Sequence, residues 1–325
     1  MWTKLLLAIW LAITASSHAA EAQQPKKVQK IGLLLGFGLL PSSSNIEAFR
    51  QGLRDFGYLE GQNIAIEYRV LEHSDRLSDL AAELVRLKVD VIVANSTGPA
   101  LAATKATKTI PIVFASVSDP VGAGLVASLA RPGGNITGLT QLAPELGGKR
   151  LELLKEVVPK LSRVAVLWHS DGPGQKPQMQ EMELAANALR LKLQSLDARE
   201  PNDIEALFHA TTRGRADAVV ALASPRFSSR RAQIVGLATK NRLPSVYVSS
   251  DWVEADGLMS YGPNLDDRWR RASYYVDKIL KGAKPGDLPV EQPRKFELII
   301  NLRAAKQIGL TIPQSVLYRA DKVIK

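Results

Sequence analysis

Hydroxyl, amide and carboxylate side chains cluster in four short segments, each of which follows an apolar run: Asn95-Ser96-Thr97, Ser116-Val117-Ser118-Asp119, Trp168-His169-Ser170 and Ser224-Pro225-Arg226. The chemistry open to such segments is recognition of a small polar molecule. Ser96 and Thr97, with neighbouring backbone N–H groups, can donate to a ligand carboxylate, and Ser116, Ser118 and Thr137 follow the same logic. Asp119, just before Pro120, suits two roles: a carboxylate that meets a ligand ammonium, or the N-cap of a helix. Phe37, Trp168, Tyr247 and Tyr261 can stack on an apolar or ring-shaped ligand, with ordinary core packing as the alternative. Ser224, His169, Arg226 and Asp251 are further candidates. For the last two a surface ion pair is the competing role, and for His169 an exposed loop position.

Signatures of covalent or metal chemistry are weak. The sequence contains no cysteine, which excludes a disulfide framework, thiol catalysis and a cysteine metal site. Gly36-Phe37-Gly38 opens a G-x-G, but Pro41 occupies the third glycine position of a dinucleotide fingerprint. Neither a phosphate-binding G-x-x-x-x-G-K-[ST] loop nor a G-x-S-x-G nucleophile elbow occurs. His73-Ser74-Asp75 and His169-Ser170-Asp171 lack metalloprotease spacing, so no metal and no cofactor are expected. Arg131-Pro132-Gly133-Gly134-Asn135 precedes a short strand rather than a helix and reads as a tight turn. The net charge of +10 is spread in runs no longer than two, which reads as a solvated cationic surface rather than a nucleic-acid footprint.

The elements that must position these turns alternate along the chain. Residues 1–22 carry a cationic start, an apolar stretch and small residues before a cut near Ala20-Glu21-Ala22, the pattern of a secretory signal peptide. The absence of cysteine also excludes a lipid anchor of the lipoprotein type. From Ile31 onward, strand-like runs alternate with helix-like runs: strands near 31–35, 63–68, 89–94 and 110–115, and helices near 44–57, 75–88 and 100–108. Ser44-Asn45-Ile46-Glu47 has capping-box spacing, and Ile46, Phe49, Leu53 and Phe56 form the stripe of the first helix. The order recurs downstream, with strands near 163–168, 191–196, 217–222 and 244–248 and helices near 176–190, 202–213 and 227–241. Asp90-Val91-Ile92-Val93-Ala94-Asn95-Ser96 resembles Asp217-Ala218-Val219-Val220-Ala221-Leu222-Ala223-Ser224, and a proline follows each serine. Such an internal repeat predicts an α/β fold of two similar, doubly wound, parallel-sheet lobes. Lobe one is expected over 28–142 plus 257–284, and lobe two over 143–256 plus 285–325. In open α/β sheets ligands bind beyond the carboxyl ends of the strands, where the polar turns fall.

Several segments carry a family likeness. They are Ser118-Asp119-Pro120-Val121-Gly122-Ala123-Gly124, Arg131-Pro132-Gly133-Gly134-Asn135-Ile136-Thr137-Gly138, Gly257-Leu258-Met259-Ser260-Tyr261-Gly262-Pro263-Asn264, Lys295-Phe296-Glu297-Leu298-Ile299-Ile300-Asn301 and Gly309-Leu310-Thr311-Ile312-Pro313. Together they resemble the ABC-transporter substrate-binding family related to tryptophan- and tyrosine-type binding proteins. The resemblance implies a type I periplasmic-binding-protein fold, hinge closure around a small-molecule ligand and delivery to a membrane permease. Trapping by closure needs no catalytic residue, the export signal directs the chain to the periplasm, and a monomer is expected. Two turns depart from the pattern: the first, from Gly36 to Pro41, is largely apolar, and Trp168-His169-Ser170 replaces an expected Asn-Pro pair. An amino-acid-like or aromatic carboxylate suits the polar turns, and a peptide, a nucleoside or a urea-type solute stays open. A transcriptional regulator on the same fold would need a DNA-binding segment ahead of residue 30. A secreted two-lobe enzyme would need paired acids, such as Asp119 with Asp251, or a nucleophile–base pair converging in the cleft.

Overall fold

The computed structural model describes residues 28–36, 39–71, 76–142, 145–198 and 203–325. The segment read as a signal peptide, Phe37 and His73 lie outside the described residues, as does Ala143 at the expected first crossing between lobes.

The first lobe opens with β1 (Gln29–Leu35), α1 (Ser44–Asp55), β2 (Ile64–Val70), α2 (Leu77–Arg86), β3 (Val91–Ala94), α3 (Thr97–Ala106), β4 (Ile112–Val117) and β5 (Ile136–Thr140). Its strands order as β2-β1-β3-β4-β5, all parallel. Helices on both faces bury the central strands, which explains the unbroken apolar runs. Leu34, Ile92 and Phe114 pack into one core, whereas Leu33, Val93 and Val113 pack into the other.

The second lobe comprises α4 (Leu146–Val157), β6 (Arg163–Trp168), α5 (Gln175–Ala188), β7 (Lys192–Asp197), α6 (Asp203–Arg213), β8 (Ala218–Ala221), α7 (Pro225–Ser228), α8 (Arg231–Lys240), β9 (Ser245–Tyr247), α9 (Ser250–Glu254) and β10 (Met259–Pro263). After α10 (Leu265–Leu280), β11 (Phe296–Asn301), α11 (Leu302–Gln307), α12 (Gln314–Leu317) and β12 (Lys322–Ile324) complete it. The strand order is β12-β11-β10-β9-β8-β6-β7, with β11 antiparallel to β10 and every other pair parallel. Among the described residues no helix is long and apolar enough to cross a membrane.

Several local expectations change. Ser44 lies inside α1 rather than at its cap; Ser43 precedes the helix without a side-chain cap bond, and Glu47 instead meets Arg54 at 2.5 Å. Phe56 follows the helix and is exposed, while Gly57 takes φ +83° and ends it. α3 starts at Thr97, ahead of the expected Ala100, because Pro99 costs nothing in a first turn whose N–H groups have no partner anyway. The helix expected over 227–241 is two helices, broken where Arg230 leaves helical geometry at φ −113°, ψ 17°.

The lobe boundaries also move. Residues 257–263 do not return to the first lobe: β10 pairs with β9 and β11, and the chain passes over at Asn264, whose side chain caps α10. Residues 285–291 do not sit with the second lobe. Thr137 Oγ1 donates to Leu288 O (2.6 Å), Tyr275 Oη donates to Pro289 O (2.7 Å), and Val290 N donates to Leu129 O (2.7 Å).

α10, which follows the second lobe in sequence, packs on α1 of the first. Phe49 meets Trp269 edge-on at 5.9 Å, and Gly52 lets the two backbones close: a Cβ there would lie 2.2 Å from Ser273 Oγ and 2.8 Å from Arg270 O. The backbone oxygen cannot swing aside as a side chain can. Gly52→Val is therefore expected to destabilise the protein by about 1–3 kcal/mol through overpacking, read as a lower urea midpoint. An unchanged midpoint would mean that the α1–α10 contact opens without cost.

Candidate functional site

The carboxyl ends of the two sheets face each other across a cleft of about 370 Å³. Both walls come from strand-to-helix turns.

On the first-lobe wall Asn95 Oδ1 accepts from Gly36 N (2.7 Å) and from Ser96 Oγ (3.3 Å). Ser96 stands at the start of α3 in extended geometry, φ −156°, and its side chain makes no bond to the helix. The first-turn N–H groups of Thr97 and Gly98 have no intrahelical partner and border the cleft, as donors to an anionic group would. Thr97 Oγ1 accepts from Ser118 N (3.4 Å), while Gln141 Nε2 donates to the Ser116 hydroxyl and to Ser116 O. Leu39, Leu71, Leu77 and Trp269 supply apolar surface on this side.

The second-lobe wall carries the charges. Arg226 lies 3.6 Å from Asp171, Arg231 lies 3.8 Å from Asp251, and Ser249 Oγ donates to Asp251 Oδ1 at 2.5 Å. His169 is buried, with Nε2 2.7 Å from Ser224 Oγ and Nδ1 3.4 Å from Asp171 Oδ1, the latter without hydrogen-bond alignment. Ser224 Oγ also accepts from Arg226 N (3.2 Å) as the cap of α7. Two buried glutamines of α5 hold the turn after β8. Gln175 Nε2 and Gln178 Nε2 both donate to Ala223 O, and Gln178 Oε1 accepts from Ala223 N. Burial holds the His169 pKa below its usual value, and the neighbouring Arg226 charge acts in the same direction against Asp171.

Ser96, Thr97, Ser116, Ser118, His169, Ser224, Arg226 and Asp251 thus come together around one cleft. Asp119 does not line it: its Oδ1 accepts from Gly122 N (2.9 Å) and closes a turn. Thr137 is fully buried and fastens residue 288. Trp168 points to the second-lobe core side and donates to Ser195 Oγ (2.7 Å). Tyr247 stacks on Trp252 at 4.6 Å inside the core, and Tyr261 stacks on Phe296 at 6.0 Å, away from the cleft. Adjacent residues of a strand point to opposite faces, so lying near a strand end does not decide which of them faces a ligand.

Gln141, Gln175, Asp171, Arg231 and Trp269 also line the cleft. Gln141 carries the same signal as the other turns, a polar residue after an apolar strand. Trp269 carries none, because α10 arrives from the far end of the sequence. Across the cleft, a Cβ on Gly174 would stand 3.5 Å from Ser118 Cβ, so the two walls approach closely at its rim.

Two sheets with opposed carboxyl ends and a polar cleft between them define a solute-binding protein of two lobes. A family model described as ABC transporter substrate binding protein matches residues 42–324, and the chain belongs to that family. Its members bind substrates for transport across a membrane and work on the outer side of it. The tyrosine-binding protein of Clostridioides difficile (strain R20291) is 28% identical over 265 residues, covering 81% of this chain and 76% of that protein. A Streptococcus pneumonia ABC domain in complex with L-Trp superposes with a TM-score of 0.85 at 29% identity, covering 91% of this chain and 99% of its own. The ligand-free, open structure of a Clostridium difficile substrate binding protein with adhesive properties superposes with 0.67 at 27% identity, covering 92% of this chain and 100% of its own. At similar identity, the chain superposes more closely on the L-Trp complex than on the open structure.

The His169 environment generates a prediction. A folded pKa below the unfolded one means that the unfolded chain binds the proton more readily, so the histidine's contribution is full above about pH 6.5. It is lost progressively as pH falls below that value. Urea midpoints from pH 8 to 5 are expected to drop more in the wild type than in His169→Asn; parallel curves would refute the assignment.

Proposed function

We propose that this protein is exported by removal of residues 1–22, captures an amino-acid-like carboxylate bearing an apolar or aromatic side chain, and presents it to an ABC membrane permease. The observation that carries the reading is the open first turn of α3. It offers N–H groups and the Ser96 and Thr97 hydroxyls beside an apolar surface that includes Leu77 and Trp269. A carboxylate fits the donors, and the side chain of the solute fits the apolar part. The names of the relatives support the same class: one binds tyrosine and another is complexed with L-Trp. Hinge closure brings the donors of one lobe over a solute resting on the other, and the closed shape is what a permease reads.

A second reading, a secreted hydrolase, is favoured by one observation: Ser224, His169 and Asp171 lie in sequence along the cleft wall like a nucleophile, a base and its orienter. Against it, Ser224 Oγ is engaged as the α7 cap, and Asp171 is exposed and poorly aligned.

Thermal shift against amino acids, aromatic acids, nucleosides and sugars separates the readings. An aromatic amino acid present at about 100 times its dissociation constant is expected to stabilise the protein by about 2.7 kcal/mol, and Ser96→Ala or Thr97→Ala to weaken that binding severalfold. A shift with sugars or nucleosides alone would overturn the solute class. Turnover of p-nitrophenyl esters that disappears in Ser224→Ala would establish the hydrolase instead.

A further inference from the structure

The second-lobe wall contains a directional hydrogen-bond relay whose polarity specifies what a ligand must bring to it. His169 is buried at the cleft edge, and Phe227 approaches its ring edge-on at 5.6 Å. Gly172 packs directly under the ring: a Cβ there would lie 1.8 Å from Cε1. Nδ1 faces the Asp171 carboxylate at 3.4 Å and Nε2 faces Ser224 Oγ at 2.7 Å. The Asp171 charge beside Nδ1, although out of hydrogen-bond alignment, favours the tautomer that carries its proton on Nδ1. Nε2 is then an acceptor, and the hydroxyl proton of Ser224 is committed to it. One lone pair of Ser224 Oγ is occupied by Arg226 N (3.2 Å). What Ser224 still presents to the cleft is the other lone pair, an acceptor with no proton to give.

We propose that Ser224, oriented by His169, is the acceptor that reads an N–H donor on the solute, and that the donor is the α-ammonium of an amino acid. This rests on the amino-acid reading above and sharpens it. The first-lobe wall donates and so takes a carboxylate; the second-lobe wall accepts and so takes the ammonium, on the same side as the Asp171 and Asp251 carboxylates. His169 is a positioning residue that acts through Ser224. If it becomes charged, Nε2 turns donor, the Ser224 hydroxyl proton is released toward the cleft, and the wall meets an ammonium with a proton instead of a lone pair. The charged groups that face His169 are Asp171 on its own turn, Asp197 at the end of β7 and Arg226 on α7.

The test is calorimetric titration at pH 7.5 and 5.5 with two matched pairs: L-tryptophan against indole-3-propionate, and L-tyrosine against 3-(4-hydroxyphenyl)propionate. Each pair shares ring and carboxylate and differs in the ammonium. The amino acid is expected to bind about tenfold more tightly than its partner or better, as a hydrogen bond to a charged group implies. Ser224→Ala should remove most of that preference while changing the affinity of the deaminated acid less than about twofold, and Ser224→Thr, which keeps the hydroxyl and the cap, should restore it. In His169→Asn the preference should be low at both pH values. Equal losses for both members of a pair in Ser224→Ala, or a preference that His169→Asn leaves intact, would overturn the relay alone. If neither member of either pair binds the wild type, the amino-acid reading falls and the relay with it.

Discussion

The geometry of the first-lobe wall depends on a buried cation. Arg268 of α10 inserts its guanidinium beneath the ends of β4 and β5, donating to Thr140 O (2.5 Å), Leu139 O (2.8 Å) and Ala115 O (3.0 Å). Burial lowers its pKa to about 9, and Glu291 only partly opposes the shift. Removing such a charge from water costs several kcal/mol, which charge-assisted bonds to carbonyls offset. Leu139 and Thr140 lie where the chain leaves the first lobe, and Ala115 lies on the neighbouring β4. Arg268 therefore ties a helix that follows the second lobe in sequence to β4 and to the strand that ends at the first crossing. Trp269, the next residue, is fixed by the same insertion and adds its ring to the cleft.

The second lobe solves the same problem with neutral groups. Its turn after β8 would leave the Ala223 N–H and carbonyl without strand partners, and the carboxamides of Gln175 and Gln178, one helical turn apart on α5, supply them. Arg150 adds a buried tie from Nε to Tyr261 O (2.9 Å), which holds β10 just before the chain crosses at Asn264. The crossings after β5 and after β10 are thus secured on the lobe each leaves. The freedom that remains is concentrated in the few residues between these ties, where a hinge is least costly.

The fold was largely legible because its signals are local. Buried parallel strands produce unbroken apolar runs such as Ile31 to Leu35, and the repeat from Asp90 to Ser96 and from Asp217 to Ser224 exposes the duplicated lobe. The boundary at Asn264 was not legible, since β10 and α10 are equally good elements and only sheet pairing assigns the first to the second lobe. At the site, the polar turns fall at the cleft, but not every side chain in them lines it. Asp119 and Ser118 are neighbours of similar polarity, yet one caps a turn and the other borders the cleft. Tyr247 ends β9, whereas Tyr261 lies midway along β10, and each finds an aromatic partner in its own lobe, Trp252 on the next helix and Phe296 on the neighbouring strand. Gln175 was hidden because a glutamine in a helix ordinarily faces water, and only the turn it supports gives it a reason to be buried.

The two walls differ in a way that bears on closure. The first carries uncharged donors and a helix N-terminus, and the second carries two arginine–carboxylate pairs and the histidine relay. Each arginine lies beside an acid on its own wall, so these charges are largely compensated before a solute arrives. A solute that touched one wall only would bind the open and closed forms almost equally and would shift nothing between them. A solute with an acceptor group for one wall and a donor group for the other gains contacts only when both are near. Its differential affinity is then the energy of closing, and the empty protein has little reason to present a closed shape to a permease.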